Sequence, residues 1–454
     1  MSYIQAINFN SRIENQKRNV VYVSSPEIFS AVEINNNKIN HIDTNQQKTN
    51  SCKKNIKRTT LNDKEKIIYA KIYTSLDKKM RQKLERCLKS GKILDYQSND
   101  NSSTLDNLYK ILTTARTSEV NAKTILNECI NIIDNPFIVT QVLEDIPEEY
   151  MDQAAEYVYS EENKERQQRK NIAKDLNYMR EQILESGEDK LDKKQEIKKI
   201  KEKINNAESG TCVAASIEFA FATKYPAEFV RIIEGLSSER KEVKKFINCK
   251  KANLTNYEID IFATPYIIKD GKKEFILRTD EGAYILANIQ KLYQDNDERS
   301  TIDILFQSLV FQIASQGTYN SITDKHSSIY NKKGGLNINE EVYALKILTG
   351  RNIKDETYRI YHNKKLSEST NIKTVEQNID NVLKQGNLVF IGVNCSDNKT
   401  IFTEGHEITI IGKQKLSDGK EYYVCKDSDE AGDKPLYKEK NKLLEKIINT
   451  CVIN

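Results

Sequence analysis

Gly405-His406-Glu407-Ile408-Thr409-Ile410-Ile411-Gly412 sets a run of β-branched residues directly behind a histidine and closes it at a glycine. Two runs of the same texture flank it, Leu388 to Val393 before and Tyr422 to Cys425 after, and a helical pattern over 374–384 leads in and ends at Gly386. Short apolar, β-branched runs bounded by polar turns read as strands. The end of the chain is therefore a β-rich lobe, with a closing helix expected over 439–448.

Working outward towards the N-terminus, helices are expected at 283–293, 301–315 and 340–349, and Asp270-Gly271 has the residues of a two-residue hairpin turn. Cys212 to Ala222 is an apolar helical run, and a second helix starts with Pro226 at its first position and stops at Gly235. Residues 206–454 thus read as one mixed helix-and-strand domain. Residues 161–205 are almost wholly charged, with thin apolar spacing at Ile197, Ile200 and Ile204 and a break at Gly187, which suits a solvated helical arm. Over 61–160 the pattern is all-α. Ile68, Ile72, Leu76, Met80, Leu84 and Leu88 recur every fourth position behind Asp63 as N-cap, and further helices follow at 104–115 and 118–133 up to the Asn135-Pro136 turn. Residues 1–60 are rich in Asn, Lys, Ser and Thr, with only short apolar clusters such as Val20 to Val23, and read as a mostly disordered tail.

Composition narrows the partners. The 454 residues carry 70 Lys+Arg against 66 Asp+Glu, interspersed, so nothing in the charge favours nucleic acid or an anionic membrane surface. The N-terminus lacks a basic segment followed by a sustained apolar stretch, and no run approaches a membrane span. Cytoplasm is the default expectation, with export by a signal invisible to composition left open. Eight scattered cysteines without C-x-x-C spacing suit reduced thiols. Asp427-Ser428-Asp429 opens like a calcium loop, but Ala431 and Lys438 stand where ligands are needed. With no phosphate-binding glycine loop, dinucleotide fingerprint or paired His/Cys spacing, neither a metal nor an organic cofactor is expected.

Three residues carry the chemistry. A thiol works as a nucleophile in its thiolate form, which a helix N-terminus and a neighbouring imidazole both favour, and Cys212 stands at such a helix start behind Gly210. Of the four histidines, His41 lies in the polar tail, His326 in a loop of Ser, Asp and Lys, and His362 between Tyr361 and Asn363, so His406 alone has a rigid strand behind it. Tyr422-Tyr423-Val424-Cys425-Lys426-Asp427 then delivers a carboxylate to a strand end, where it can fix the imidazole's tautomer, while Cys425 reads as core.

On Gly210-Thr211-Cys212-Val213-Ala214-Ala215-Ser216, Gly405-His406-Glu407-Ile408-Thr409 and Tyr423-Val424-Cys425-Lys426-Asp427-Ser428, residues 206–454 resemble the papain-like cysteine peptidase superfamily. The resemblance implies an α+β chain: a papain-like catalytic domain of helical lobe plus antiparallel β lobe, preceded by the all-α segment and the tail. It further implies Cys212 as nucleophile, His406 as base, Asp427 as orienting residue, and Asn206 with the Cys212 N–H as oxyanion donors, acting on a peptide or protein substrate without a cofactor. Tyr330-Asn331-Lys332-Lys333-Gly334-Gly335 and Ala344-Leu345-Lys346-Ile347-Leu348-Thr349-Gly350 are similar to the corresponding region of calpain catalytic domains. Transglutaminase-like or deamidase chemistry at the same residues is an alternative. An inactive binding or scaffold protein is another, since no tryptophan occurs anywhere and no glutamine shortly precedes Cys212. Residues 61–160 could serve as an autoinhibitory segment or dock a protein partner.

Overall fold

Pairing of the C-terminal runs builds the sheet on which the site rests. In a computed structural model describing residues 21–23, 58–143, 145–175, 192–290, 298–315, 317–326, 334–362, 365–368, 371–396, 404–430 and 432–453 the architecture is α+β. The strands in chain order are β1 (Val21–Val23), β2 (Val243–Ile247), β3 (Tyr266–Lys269), β4 (Lys272–Leu277), β5 (Ile353–Thr357), β6 (Arg359–His362), β7 (Lys365–Glu368), β8 (Val389–Asn394), β9 (Gly405–Lys415), β10 (Glu421–Asp427), β11 (Leu436–Glu439) and β12 (Ile447–Ile453). Seven form one antiparallel sheet ordered β11-β10-β9-β8-β12-β5, with β1 beside β9. The hairpin expected at Asp270-Gly271 joins β3 to β4.

Two expectations change here. Residues 439–448 are not a closing helix: after a short helix at Lys440–Leu444 the chain re-enters the sheet as β12, between β8 and β5. Ile447, Ile448, Thr450, Val452 and Ile453 lose rotamer freedom in a helix, and the ladder pairs their backbone while burying Ile447, Cys451 and Val452. Val21–Val23, read as part of the tail, pairs with Gly412–Gln414. The reason is geometric. β8 covers β9 only from Gly405 to Ile410, so the longer β9 leaves an open edge beyond it. Other residues of the tail up to 57 lie outside the described residues, as does Gly187.

Alternation along β8 splits its side chains between two layers. Val389, Ile391 and Val393 pack with Val375, Ile379 and Leu383 of the helix Ile372–Lys384, whereas Leu388 and Phe390 join the helical core. That core is centred on the helix Cys212–Lys224, which is buried from Val213 through Thr223 and sets Phe219 against Phe137 and Phe221 against Phe306 as tilted ring pairs with centroids 5.3 Å and 5.7 Å apart. Apolar residues around its whole circumference mark it as a helix enclosed on every side.

The run from Asp63 to Leu88 is two helices, Asp63–Ser75 and Lys78–Lys89, because Asp77 caps the second by accepting from Met80 N at 2.9 Å. Asn62, not Asp63, caps the first. The boundary drawn near 206 does not interrupt the core, since one cluster of buried side chains extends from Ile72 to Cys451. Polar contacts tie the same halves together: Asn107 Nδ2 donates to Ala227 O at 3.2 Å, and Arg116 pairs with Glu234 at 2.9 Å. The charged arm also packs. Lys193–Asn205 buries Ile200 and Ile204, worth about 1.5–3 kcal/mol each, and Lys201 meets Asp152 at 2.7 Å. No helix among the described residues is long and apolar enough to cross a membrane.

Candidate active site

Cys212 is the first residue of its helix. The preceding Thr211 does not cap the helix with its side chain; its hydroxyl pairs with Ser209 Oγ at 3.0 Å. The partial positive charge of the helix start therefore faces the thiol without a side-chain acceptor from the cap. Gly210 is required by close approach rather than by a turn, as a Cβ there would come within 3.0 Å of the Gly334 backbone. Its N–H donates to Asp324 Oδ2 at 3.3 Å, and Asp324 Oδ1 is held by Arg299 at 3.3 Å and by the Tyr319 hydroxyl. Arg299 and Asp324 are both buried, so the segment before the thiol hangs from a buried ion pair.

His406 and Asp427 meet because β9 and β10 are antiparallel neighbours, which sets the start of one against the end of the other. His406 Nε2 donates to Asp427 Oδ1 at 2.6 Å, and Cys212 lies close enough to act on the imidazole electrostatically. With Nε2 taken, Nδ1 is the nitrogen left for the thiol. Burial opposes a charge on His406, but the hydrogen bond to Asp427 and the nearness of Cys212 outweigh it and push its pKa up to about 11. Burial likewise opposes the Asp427 carboxylate, yet His406 and Lys438 hold its pKa well below the usual range. Lys438, on β11, stands 2.9 Å from Asp427 Oδ2.

The structure thus brings Cys212, His406 and Asp427 together from a helix start and two strands. Asn206 is engaged elsewhere. It follows the helix Lys193–Asn205, and its exposed side-chain amide donates to Glu202 O at 2.6 Å, within its own last turn. The backbone donors at the start of the Cys212 helix are what remain for an oxyanion.

Several residues at the site escape the sequence. Asp429 Oδ2 lies 3.4 Å from His406 Nδ1, and Gln141 Nε2 donates to Asp429 Oδ1. The Gln141 N–H and the Thr140 hydroxyl both donate to Ser428 O at 3.2 Å, so a segment of the N-terminal half braces the loop that carries both acids. No local pattern announces Gln141. Asp429 was visible only as part of a discarded calcium-like run. On the other side of β9, Glu407 is buried near Glu341 of the helix Ile338–Thr349. Cys395 is exposed just past β8, close enough for His406 and Cys212 to influence it electrostatically. His326 is buried, with Nδ1 2.9 Å from Gly334 O, which marks it as structural.

No family model matches the chain, and no curated protein matches it. Among solved structures it is similar to the SERA5 proenzyme of Plasmodium falciparum, at 12% identity over 86% of this chain and 98% of that one, with a TM-score of 0.19. At that score the likeness carries no argument about fold or chemistry.

Proposed function

We propose that this chain is a thiol acyl-transfer enzyme, a cysteine-dependent hydrolase of peptide-like bonds that works through Cys212, His406 and Asp427. One observation carries the reading: a single imidazole is hydrogen-bonded to a buried carboxylate and lies within electrostatic reach of a cysteine at a helix start. That arrangement supplies a nucleophile, a proton carrier and an orienting acid in one cluster. The His406 imidazolium, which keeps its proton at neutral pH, pairs with the Cys212 thiolate, and Sγ attacks the acyl carbon. The imidazolium returns the proton to the leaving amine as the carbon–nitrogen bond breaks. Water, deprotonated by His406, then cleaves the thioester, the acid leaves, and the imidazolium–thiolate pair is restored. Backbone N–H groups at the helix start stabilise the oxyanion in both steps.

The test is labelling with an electrophilic thiol probe, such as an epoxide or vinyl sulfone, with the modified cysteine located by mass spectrometry. Mapping is needed because Cys395 is exposed as well. Fast modification of Cys212, lost in His406→Ala, is the expected result. Slow labelling indifferent to that substitution would sink the reading. A peptide library presented to the reactive protein then defines the substrate.

A further inference from the structure

We infer that the hairpin of β3 and β4 docks on an anionic lipid bilayer, with Ile267 and Ile268 entering the interface and the surrounding lysines meeting the headgroups. This rests on none of the residues of the thiol site.

Of the seven large apolar side chains exposed among the described residues, five fall within one stretch: Phe246, Tyr257, Tyr266, Ile267 and Ile268, the last 73% exposed. Isolated exposed apolar residues are ordinary, whereas a cluster marks a surface that something covers. All four residues of β3 are exposed although a strand's side chains alternate between faces, so this strand stands clear of the body on both sides. Its base is fixed. Phe275 and Leu277 of β4 are buried, and the Ile276 N–H donates to Pro265 O at 2.8 Å. At the tip, Asp270 (φ 51°) and Gly271 (φ 71°) make the turn, and a Cβ on Gly271 would meet nothing within 4 Å. The register sets Tyr266, Ile268 and Lys273 on one face and Phe246, Ile267 and Lys269 on the other. Lys273 Nζ lies 4.3 Å from the centre of the Tyr266 ring, and Lys269 Nζ 5.8 Å from that of Phe246. Each face therefore carries an aromatic ring, an isoleucine and a lysine.

Charge complementarity identifies the occupant. From the start of β2 to the end of β4 the chain has seven lysines against Glu258, Asp260, Asp270 and Glu274, a net +3 out of the +4 of all 454 residues. Lys245 is buried on Glu228, but Lys244, Lys250, Lys251, Lys269 and Lys272 are exposed, against only Asp260 and Asp270 among the four acids. Elsewhere the charges cancel, which is why whole-chain composition pointed away from a membrane. Each lysine near an anionic leaflet raises partition by a factor of about 5. Tyrosine rings settle at headgroup level, and lysine stems reach from apolar surface to the headgroups. An acidic strand of another protein would cover the open edge of β3 and leave both faces of the tip in water, whereas a bilayer interface surrounds the tip on every side. A second copy would set the lysines of two hairpins against each other.

Sedimentation of the full chain with vesicles tests the docking. Vesicles of equimolar phosphatidylserine and phosphatidylcholine should carry the protein down, pure phosphatidylcholine vesicles should not, and added salt should release it. Ile267→Ser/Ile268→Ser is expected to weaken binding at least about 10-fold, and Lys269→Glu/Lys272→Glu at least about as much. All four side chains are exposed, so both variants should keep the wild-type unfolding midpoint. Ile67→Ser, equally exposed but on the helix Asp63–Ser75, should bind as wild type does. No sedimentation with the anionic vesicles, equal binding to phosphatidylcholine alone, or full binding by the double serine variant would overturn the docking. So would two other results. A short peptide of alternating glutamate and valine that binds where vesicles do not would assign the edge to an acidic protein segment, and a dimer abolished by the double serine variant would assign it to a second copy.

Discussion

Lys438 Nζ stands 2.9 Å from Asp427 Oδ2, so the carboxylate that orients His406 is itself held from its far side by a cation on the neighbouring strand. Lys438 acts through Asp427 and is a positioning residue. Lys438→Met is expected to slow Cys212 labelling roughly 10-fold, in keeping with one lost charge-assisted hydrogen bond. Asp427→Asn, which removes the acceptor's charge, is expected to slow it about 100-fold or more. Labelling rates of the two variants at one pH check the order.

The pH profile gives a second measure of the same chain of bonds. Because the His406 pKa is pushed up to about 11, its proton is retained through neutral pH and lost only in strongly alkaline solution. The alkaline limb of the labelling profile is therefore expected near 11 in the wild type. In Asp427→Asn the anion that favours the imidazolium is gone, so the limb should move to lower pH. An unmoved limb would mean that another group controls it.

Glu341 and Glu407 make stability fall with alkalinity. Burial pushes Glu341 up from 4.5 to about 7 and raises Glu407 as well. A carboxyl with a raised folded pKa contributes its stability in full below the unfolded value and loses it as pH rises through the folded one. The contribution is thus present below about pH 4.5 and lost through about 7 and above. Glu341→Gln keeps the size of the side chain without a charge. Its unfolding midpoint should drop less between pH 6 and pH 8 than that of wild type, as thermal melts will show.

Removing the N-terminal half should unfold the protein rather than release it. A fragment beginning at residue 206 loses the partners of Ala227 and Glu234 and the Gln141 brace on Asp429. It is expected to lack a cooperative urea transition and to leave Cys212 no more reactive than a free thiol. A fragment that folds and labels faster than the full chain would instead restore an inhibitory role for residues 61–160.

Gly210→Ala tests the anchorage of the thiol. The added methyl would meet the Gly334 backbone at 3.0 Å, and neither strand of chain can yield as a flexible side chain would. A loss of about 1–3 kcal/mol in unfolding free energy is expected, together with slower labelling, since Cys212 lies two residues on.

The amino-acid sequence by itself determined the local elements: β8, β9 and β10 from their β-branched runs, the Cys212 helix from its unbroken apolar circumference, and the three candidate residues from their places at element ends. It also misread what local pattern leaves ambiguous. The C-terminal run became β12 because an open sheet position paired its backbone on both sides, and the helix from Asp63 broke at a cap that the apolar repeat concealed. Only the tertiary structure decided what surrounds the imidazole. Asp429 stands beside it, Gln141 holds Asp429 and Lys438 holds Asp427, and Asn206, near Cys212 in the chain, turns its amide to its own helix. Periodicity and capping act over a few residues and are written locally. Hydrogen bonds between segments as far apart as Gln141 and Asp429 exist only after burial has fixed both backbones.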